Sequence, residues 1–438
     1  MTFVASFMAL LQALSGGFTR PSFESFVVLL QGWVLARRHT VTGMILGARA
    51  VGKKHHSAFH RLFASAKWSL DRLGLLVFNL IEPVCGKHAI LLSGDDTLAR
   101  KRGLKIFGVG MHHDPLLSTR KVALTNWGHS WVILSVILEF PFRPGFCFSL
   151  PILFRLYRSK QTVKREGTRH GAYFTKAQLM VQMLEVLSEH RQNRRFHLIA
   201  DAAYGGRSVL CHLPRNFDLT SRLHLQARLY GPPPVRTGKA PGRPRKRGQR
   251  LPTPRQMLQG RCRRLDLKIY GRCDRSRVAD TVARAYHAPQ RDLRIVAVQP
   301  LSGGREVQAF FSTCHDATAE QVLTWYAMRW SLECTIHDAK GHLGFEEPQG
   351  WTMLAVRRTA PVAMLLYSLI VLWFGQEGHK HYRPLNRPWY AGKVHPSFAD
   401  MLATLRAESL REVLCSCGPH LPSSKPVKLL LHTLKTAA

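Results

Sequence analysis

Tyr326-Ala-Met-Arg-Trp-Ser-Leu-Glu-Cys-Thr-Ile-His-Asp-Ala-Lys340 contains neither Gly nor Pro. Just upstream, Thr318 and Gln321 have the spacing of a capping box, which predicts a helix start. At about 100° per residue, Tyr326, Arg329, Glu333 and Lys340 fall within a stripe of about 60°. One narrow face then carries a phenol, a guanidinium, a carboxylate and an ammonium, where an ordinary amphipathic helix puts its core residues. A carboxylate flanked by two cations can hold a metal ion while the cations hold phosphates. The alternative for the stretch by itself is a solvated face with intrahelical ion pairs.

Working outward, the chain has 438 residues, enough for two or three domains and a large core. Charge is the outlier: 63 Lys and Arg against 27 Asp and Glu leave +36. Such a surplus repels itself unless a polyanion neutralises it. Nucleic acid is the first partner this implies, and an anionic membrane surface the second. The nine cysteines are scattered, with no C-x-x-C pair, which argues against structural zinc and fits a reducing cytosol. The apolar start, Phe3 to Leu14, has no basic segment before it and does not read as a signal peptide. Trp131–Leu138 and Pro361–Phe374 fall short of the roughly 20 residues a bilayer requires and read as core elements.

Residues 1–87 read as a helical, DNA-docking domain. Phe3–Leu14, Phe23–Arg37 and a third helix from Ser57 to Ile81 are separated by basic clusters at Arg37-Arg38-His39 and Lys53-Lys54-His55-His56. Residues 88–228 change character. Ala89-Ile90-Leu91-Leu92 predicts a buried strand running into Gly94-Asp95-Asp96-Thr97. Two carboxylates after a buried strand need a cation, and a metal ion is the simplest; an Asp-rich turn is the alternative. Leu104–Val109 and Ser130–Leu138 read as further strands, with His112-His113-Asp114 as a loop between them. A basic connector follows, Arg155 to Arg169. Thr175–His190 reads as a helix, and Phe196–Ala200 as a strand that delivers Asp201 at its exit. Phe217–Leu223 predicts a fifth strand.

Residues 229–316 read as an insertion. Its first part, 231–250, holds seven Lys/Arg, five Pro and four Gly with no acid, the composition of an extended loop. Pro241-Gly242-Arg243-Pro244-Arg245-Lys246-Arg247 resembles the Gly-Arg-Pro core of AT-hook segments, which lie in the minor groove; a nonspecific basic linker is the alternative. Leu293–Gln299 and Val307–Thr313 predict a hairpin across Ser302-Gly303-Gly304. Residues 317–375 return to the core with the opening helix, and Thr359–Phe374 reads as a buried helix with Pro361 in its first turn. Residues 376–438 form a basic tail of no evident role.

Three acidic points stand out: Asp95/Asp96, Asp201 and Glu333. Strands, helix, strand, acid, then a late acidic helix is the layout of an α/β, ribonuclease-H-like core. We expect a mixed five-stranded sheet flanked by helices, with an insertion between the second Asp and the Glu. The Tyr-(2)-Arg-(3)-Glu-(6)-Lys spacing from Tyr326 to Lys340 resembles the signature of DDE-type insertion-sequence transposases of the cut-and-paste kind. Gly94-Asp95-Asp96-Thr97 and Ala200-Asp201-Ala202-Ala203-Tyr204 resemble that family's first and second blocks, and the resemblance covers roughly residues 1–375.

The resemblance implies Asp96, Asp201 and Glu333 as catalytic residues and as ligands of Mg²⁺ or Mn²⁺, in a pair of ions that supports hydrolysis and then strand transfer. Its placement of the ligand before Thr selects Asp96; Asp95 stays open, since a strand turns successive side chains to opposite faces. Tyr326, Arg329 and Lys340 would contact end phosphates, with Arg243 and Arg245 as further DNA contacts. The implied partners are double-stranded DNA, as terminal inverted repeats and target, with a dimer in the synaptic complex. A cytoplasmic, nucleoid-associated location would follow. A catalytically inactive or domesticated DNA-binding relative, and a ribonuclease-H-like nuclease without strand transfer, are the alternatives.

Overall fold

A computed structural model describes residues 3–114, 117–119, 121–234, 245–269, 272–301, 306–384, 392–417 and 427. The first five helices are α1 (Ala5–Gln12), α2 (Arg20–Leu35), α3 (Val41–Gly47), α4 (His56–Ala64) and α5 (Leu70–Ile81). The single helix expected over 57–81 is therefore two. Trp68 turns its indole N–H onto the Leu62 carbonyl at 2.7 Å, and Ser69 caps α5 through the Arg72 N–H. The guanidinium of Arg358 donates to the carbonyls of Phe63, Ala66 and Trp68, satisfying the broken helix end from 290 or more residues away.

Four strands follow: β1 (Ile90–Arg100), β2 (Gly110–His113), β3 (Thr125–Glu139) and β4 (Cys147–Tyr157). β1 runs through both aspartates instead of ending before them, because β3 pairs with it antiparallel from Leu92 to Arg100. Leu104–Val109 is not a strand: Leu104 is exposed and Gly108 takes φ +77°. His112 and His113 instead lie in β2, not in a loop. β4 had no sequence reading, since Pro151 interrupts it. That proline sits opposite Ser135 at a register shift, on a strand that pairs with β3 alone, where a missing N–H is tolerated.

Helix α6 (Lys160–Glu166) leads to α7 (Lys176–His190), whose Thr175–Gln178 capping box fixes its start. β5 (Phe196–Ala200) is buried throughout and pairs parallel to β1. The short α8 (Arg207–Leu210) precedes β6 (Phe217–Leu223), also parallel to β5. Between β6 and the late helices come β7 (Leu229–Tyr230), β8 (Arg250–Leu251), α9 (Pro254–Met257), β9 (Arg263–Ile269), β10 (Arg272–Ala285), β11 (Ala288–Pro300) and β12 (Gln308–Ser312). β11 and β12 are the expected hairpin pair. β12 hydrogen-bonds to β6, so these strands continue the same sheet: the order is β2-β3-β1-β5-β6-β12-β11-β10-β7-β8, with β4 on β3 and β9 on β10. The sheet is thus twelve-stranded and mixed.

The last helices are α10 (Ala319–Met328), α11 (Trp330–Leu343), α12 (Met353–Trp373), α13 (His379–His381) and α14 (Phe398–Cys417). α12 begins earlier than expected, which puts Pro361 in its interior rather than its first turn. The run Met353–His381 is long and apolar enough to cross a membrane, but 89% of its apolar window is buried inside the protein. It packs on β4, α5 and α14. One apolar cluster extends from Phe3 through the sheet to Leu405, and it holds the strand exits and α11 in a fixed relation.

Candidate active site

The register of β1 decides where each aspartate points. Ser93 bonds to Ser149, and Ser149 to Ser331 of α11, at 2.8 and 2.6 Å. Two residues along, Asp95 faces the same layer and receives the Arg329 guanidinium at 2.9 Å. Gly94 and Asp96 face the opposite layer. A Cβ on Gly94 would meet Met180 of α7, and Asp96 forms an ion pair with Lys176 at the start of α7. The Tyr204 hydroxyl also donates to Asp96 at 2.9 Å.

Parallel pairing of β1 with β5 ends at Gly94 opposite Ala200, so Asp95, within β1, and Asp201, just past the end of β5, stand at the same level of neighbouring strands. Asp201 caps the short turn after β5 through the Ala203 N–H at 2.9 Å, and its backbone carbonyl accepts from Ser221 at 2.7 Å. Arg329 stands between helices α10 and α11. The Leu332 N–H reaches the Arg329 carbonyl and the Arg329 N–H the Tyr326 carbonyl, so the turn is tightened to i→i+3 bonds. The expected single helix is therefore interrupted at its arginine. That guanidinium reaches Asp95 on one side and Glu333 on the other, at 2.9 and 2.7 Å.

Electrostatics follow from this geometry. Burial pushes Asp95 up to about 7; Arg329 pulls it down, while Asp201 and Asp96 push it further up. Burial works against the charge on Arg329, and Asp95, Tyr326 and Glu333 outweigh it and raise its pKa. Tyr326 packs its ring on Phe310, 4.4 Å between centroids, and borders a cavity of about 350 Å³ with Arg222, Asp274 and Arg329. Lys340 donates to the Leu98 carbonyl at 2.6 Å and pairs with Glu346 at 2.9 Å.

The structure thus brings Asp95, Asp201, Arg329 and Glu333 to one side of the sheet, with Tyr326 and Lys340 flanking. Asp96 lies on the other side with Lys176 and Tyr204. Neither of these two partners was singled out from the sequence as a site residue; the signal available for Lys176 was its place at the N-terminus of a capped helix. Arg245 is exposed on a connecting segment, and Arg243 falls outside the described residues. In kind, carboxylate oxygens suit a hard divalent cation. In this conformation, however, no group of three or more His, Cys, Asp or Glu side chains among the described residues could hold one; Arg329 fills the space between two of the carboxylates.

A mixed α/β sheet with acids at the same level of adjacent parallel strands, flanked by helices, fits the ribonuclease-H-like architecture of DDE nucleases. The model of the DDE superfamily endonuclease family matches residues 13–276, well over half of the chain. The chain belongs to the DDE superfamily endonucleases. The matched residues include Asp95, Asp96 and Asp201 and end before Tyr326. No curated protein matches the chain. Membership supports a transposase-like nuclease acting on DNA, in a family that generally uses divalent metals.

Proposed function

We propose that this chain is the transposase of a bacterial-type insertion sequence, which cuts DNA at the element ends and transfers the freed 3′-hydroxyl into target DNA. The observation that carries the reading is the Asp95–Arg329–Glu333 chain of ion pairs beside Asp201, in which the Tyr326 to Lys340 stretch supplies Arg329 and Glu333. In this reading the catalytic carboxylates are Asp95, Asp201 and Glu333. Asp96, selected from the sequence, becomes a positioning residue instead, because Lys176 and Tyr204 hold it on the α7 side. A divalent cation such as Mg²⁺ or Mn²⁺ would supply activation of water and of the 3′-hydroxyl. The protein's part is to present the acids and to offer Arg329, Tyr326 and Lys340 to the phosphates of the end.

The five strands β4-β3-β1-β5-β6 would form the ribonuclease-H-like core, and residues 229–316 the insertion that holds the DNA end. Residues 1–87 and the basic segment with Arg243 and Arg245 would add duplex contacts. Pairing of two ends implies a dimer in the synaptic complex, and the substrate implies a cytoplasmic, nucleoid-associated protein.

The test is cleavage of a duplex carrying the element's terminal repeats by purified protein with Mg²⁺. Glu333→Ala should abolish nicking and leave DNA binding largely intact. Nicking that survives this change would overturn the assignment. A second reading, a non-catalytic DNA-binding relative, draws on Arg329 occupying the space between Asp95 and Glu333. It would show salt-sensitive binding with no metal-dependent nicking.

A further inference from the structure

A cavity of about 580 Å³ opens where the edge strand β4 meets the N-terminal ends of α5 and α12 and the flank of α7. None of Asp95, Asp201, Arg329 or Glu333 lines it. Four arginines do: Arg155, Arg158, Arg357 and Arg358. Two have carboxylate partners. Arg155 makes a bidentate pair with Asp71, at 2.6 and 2.8 Å, and Arg158 pairs with Glu166 at 3.2 Å. The other two have none among the described residues. Arg358 is buried, gives its N–H groups to three backbone carbonyls, and lies 4.4 Å from the Trp68 ring centroid. Among the described residues Arg357 makes one hydrogen bond, 3.3 Å to the His170 carbonyl, and lies 5.4 Å from the Phe107 ring centroid.

This leaves a surplus of two positive charges on the wall of a partly enclosed space. Burial, and then the neighbouring Arg158, push the Arg357 pKa down, with Arg155 adding to the effect against Glu166. Keeping cations crowded out of water costs free energy unless an anion joins them. The other lining residues include the aromatics Trp68, Phe154 and Phe174, of which Phe174 is 39% exposed, beside the polar Ser69 and Gln182. A guanidinium fork matches a phosphate, and an exposed aromatic face matches a nucleobase. The volume lies within the range of pockets for small organic ligands.

We propose that this cavity is a nucleotide-binding site, separate from the carboxylate centre, in which Arg357 takes the phosphate and Phe174 stacks on the base. The nucleotide comes either free from solution or as one unit of single-stranded DNA. The two sources share the same recognition chemistry.

The experiment titrates the full chain with dAMP, inorganic phosphate and deoxyadenosine in EDTA, following tryptophan fluorescence and calorimetric heat. EDTA removes metal ions and so makes the outcome independent of the carboxylate centre. The expected result is that dAMP binds more tightly than either of its parts. Arg357→Ala should weaken it about tenfold or more. Phe174→Ala, at an exposed position, should weaken it about fivefold or more. Glu333→Ala should bind dAMP as the parent does, and thermal midpoints confirm that each variant is folded. Competition by a short single strand that fails when the strand is abasic assigns the site to DNA. No competition assigns it to free nucleotide. The proposal is overturned if dAMP does not bind at millimolar concentration, if phosphate alone binds equally well, or if the folded Arg357 and Phe174 variants bind dAMP unchanged.

Discussion

At the scale of single residues, the decisive pair is Asp95 and Asp96. They are chemically identical and adjacent, yet one meets Arg329 and the other Lys176. Asp95 sits close enough to Asp201 for the two charges to repel, and Asp96 on the α7 side adds a smaller push in the same direction. The substitutions Asp95→Asn and Asp96→Asn keep the shape and remove the charge. In a nicking assay on end duplexes with Mg²⁺, Asp95→Asn should lose at least about a hundredfold in rate, the scale of removing a charge-stabilising group from a reacting centre. Asp96→Asn should lose less than about tenfold, since an ion pair at one remove shifts the centre by about 1 kcal/mol. Equal losses, or the reverse order, would return the role to Asp96.

Among the elements, the close approach of α5 to β4 shows how little slack the packing leaves. A Cβ on Gly74 would lie 1.9 Å from the Ile152 carbonyl oxygen. Alanine ordinarily favours a helix over glycine by about 1 kcal/mol. Here the neighbour is backbone in a buried strand and cannot move aside. The clash wins, and Gly74→Ala should destabilise the protein by about 2 kcal/mol. A urea midpoint at or above the parent's would contradict that account. Helix α5 starts where it does because Ser69 caps it through the Arg72 N–H, and Gly74 then lets the helix settle on the strand.

Across the whole molecule, charge is the governing quantity. A surplus of +36 on 438 residues makes DNA affinity depend on counterion release. Association with duplex DNA should weaken by about a thousandfold or more between 50 and 200 mM salt, as for proteins with about six or more phosphate contacts. Replacing Arg243 and Arg245 with Gln should reduce the slope of log affinity against log salt by up to about 1.8, at about 0.9 per phosphate contact. An unchanged slope would show that this segment stays off the DNA. Opposing this surplus, the apolar cluster from Phe3 to Leu405 holds the N-terminal helices, the sheet and α12 together.

Much of this was legible along the chain. Phe196–Ala200 and Phe217–Leu223 are strands within the bounds their apolar runs predict, and the Thr318–Gln321 capping box starts α10. Such signals are local: a run of β-formers or a cap carries its meaning within a few residues. The placement of the acids was legible for the same reason, since each stands in or directly after its own strand or helix. Tertiary structure alone decided which face each aspartate takes, because that depends on α7 and α11, packed over opposite sides of β1 and distant in sequence. It also decided the break at Arg329, where a guanidinium drawn to both Asp95 and Glu333 accompanies a tightened turn that no periodicity announces.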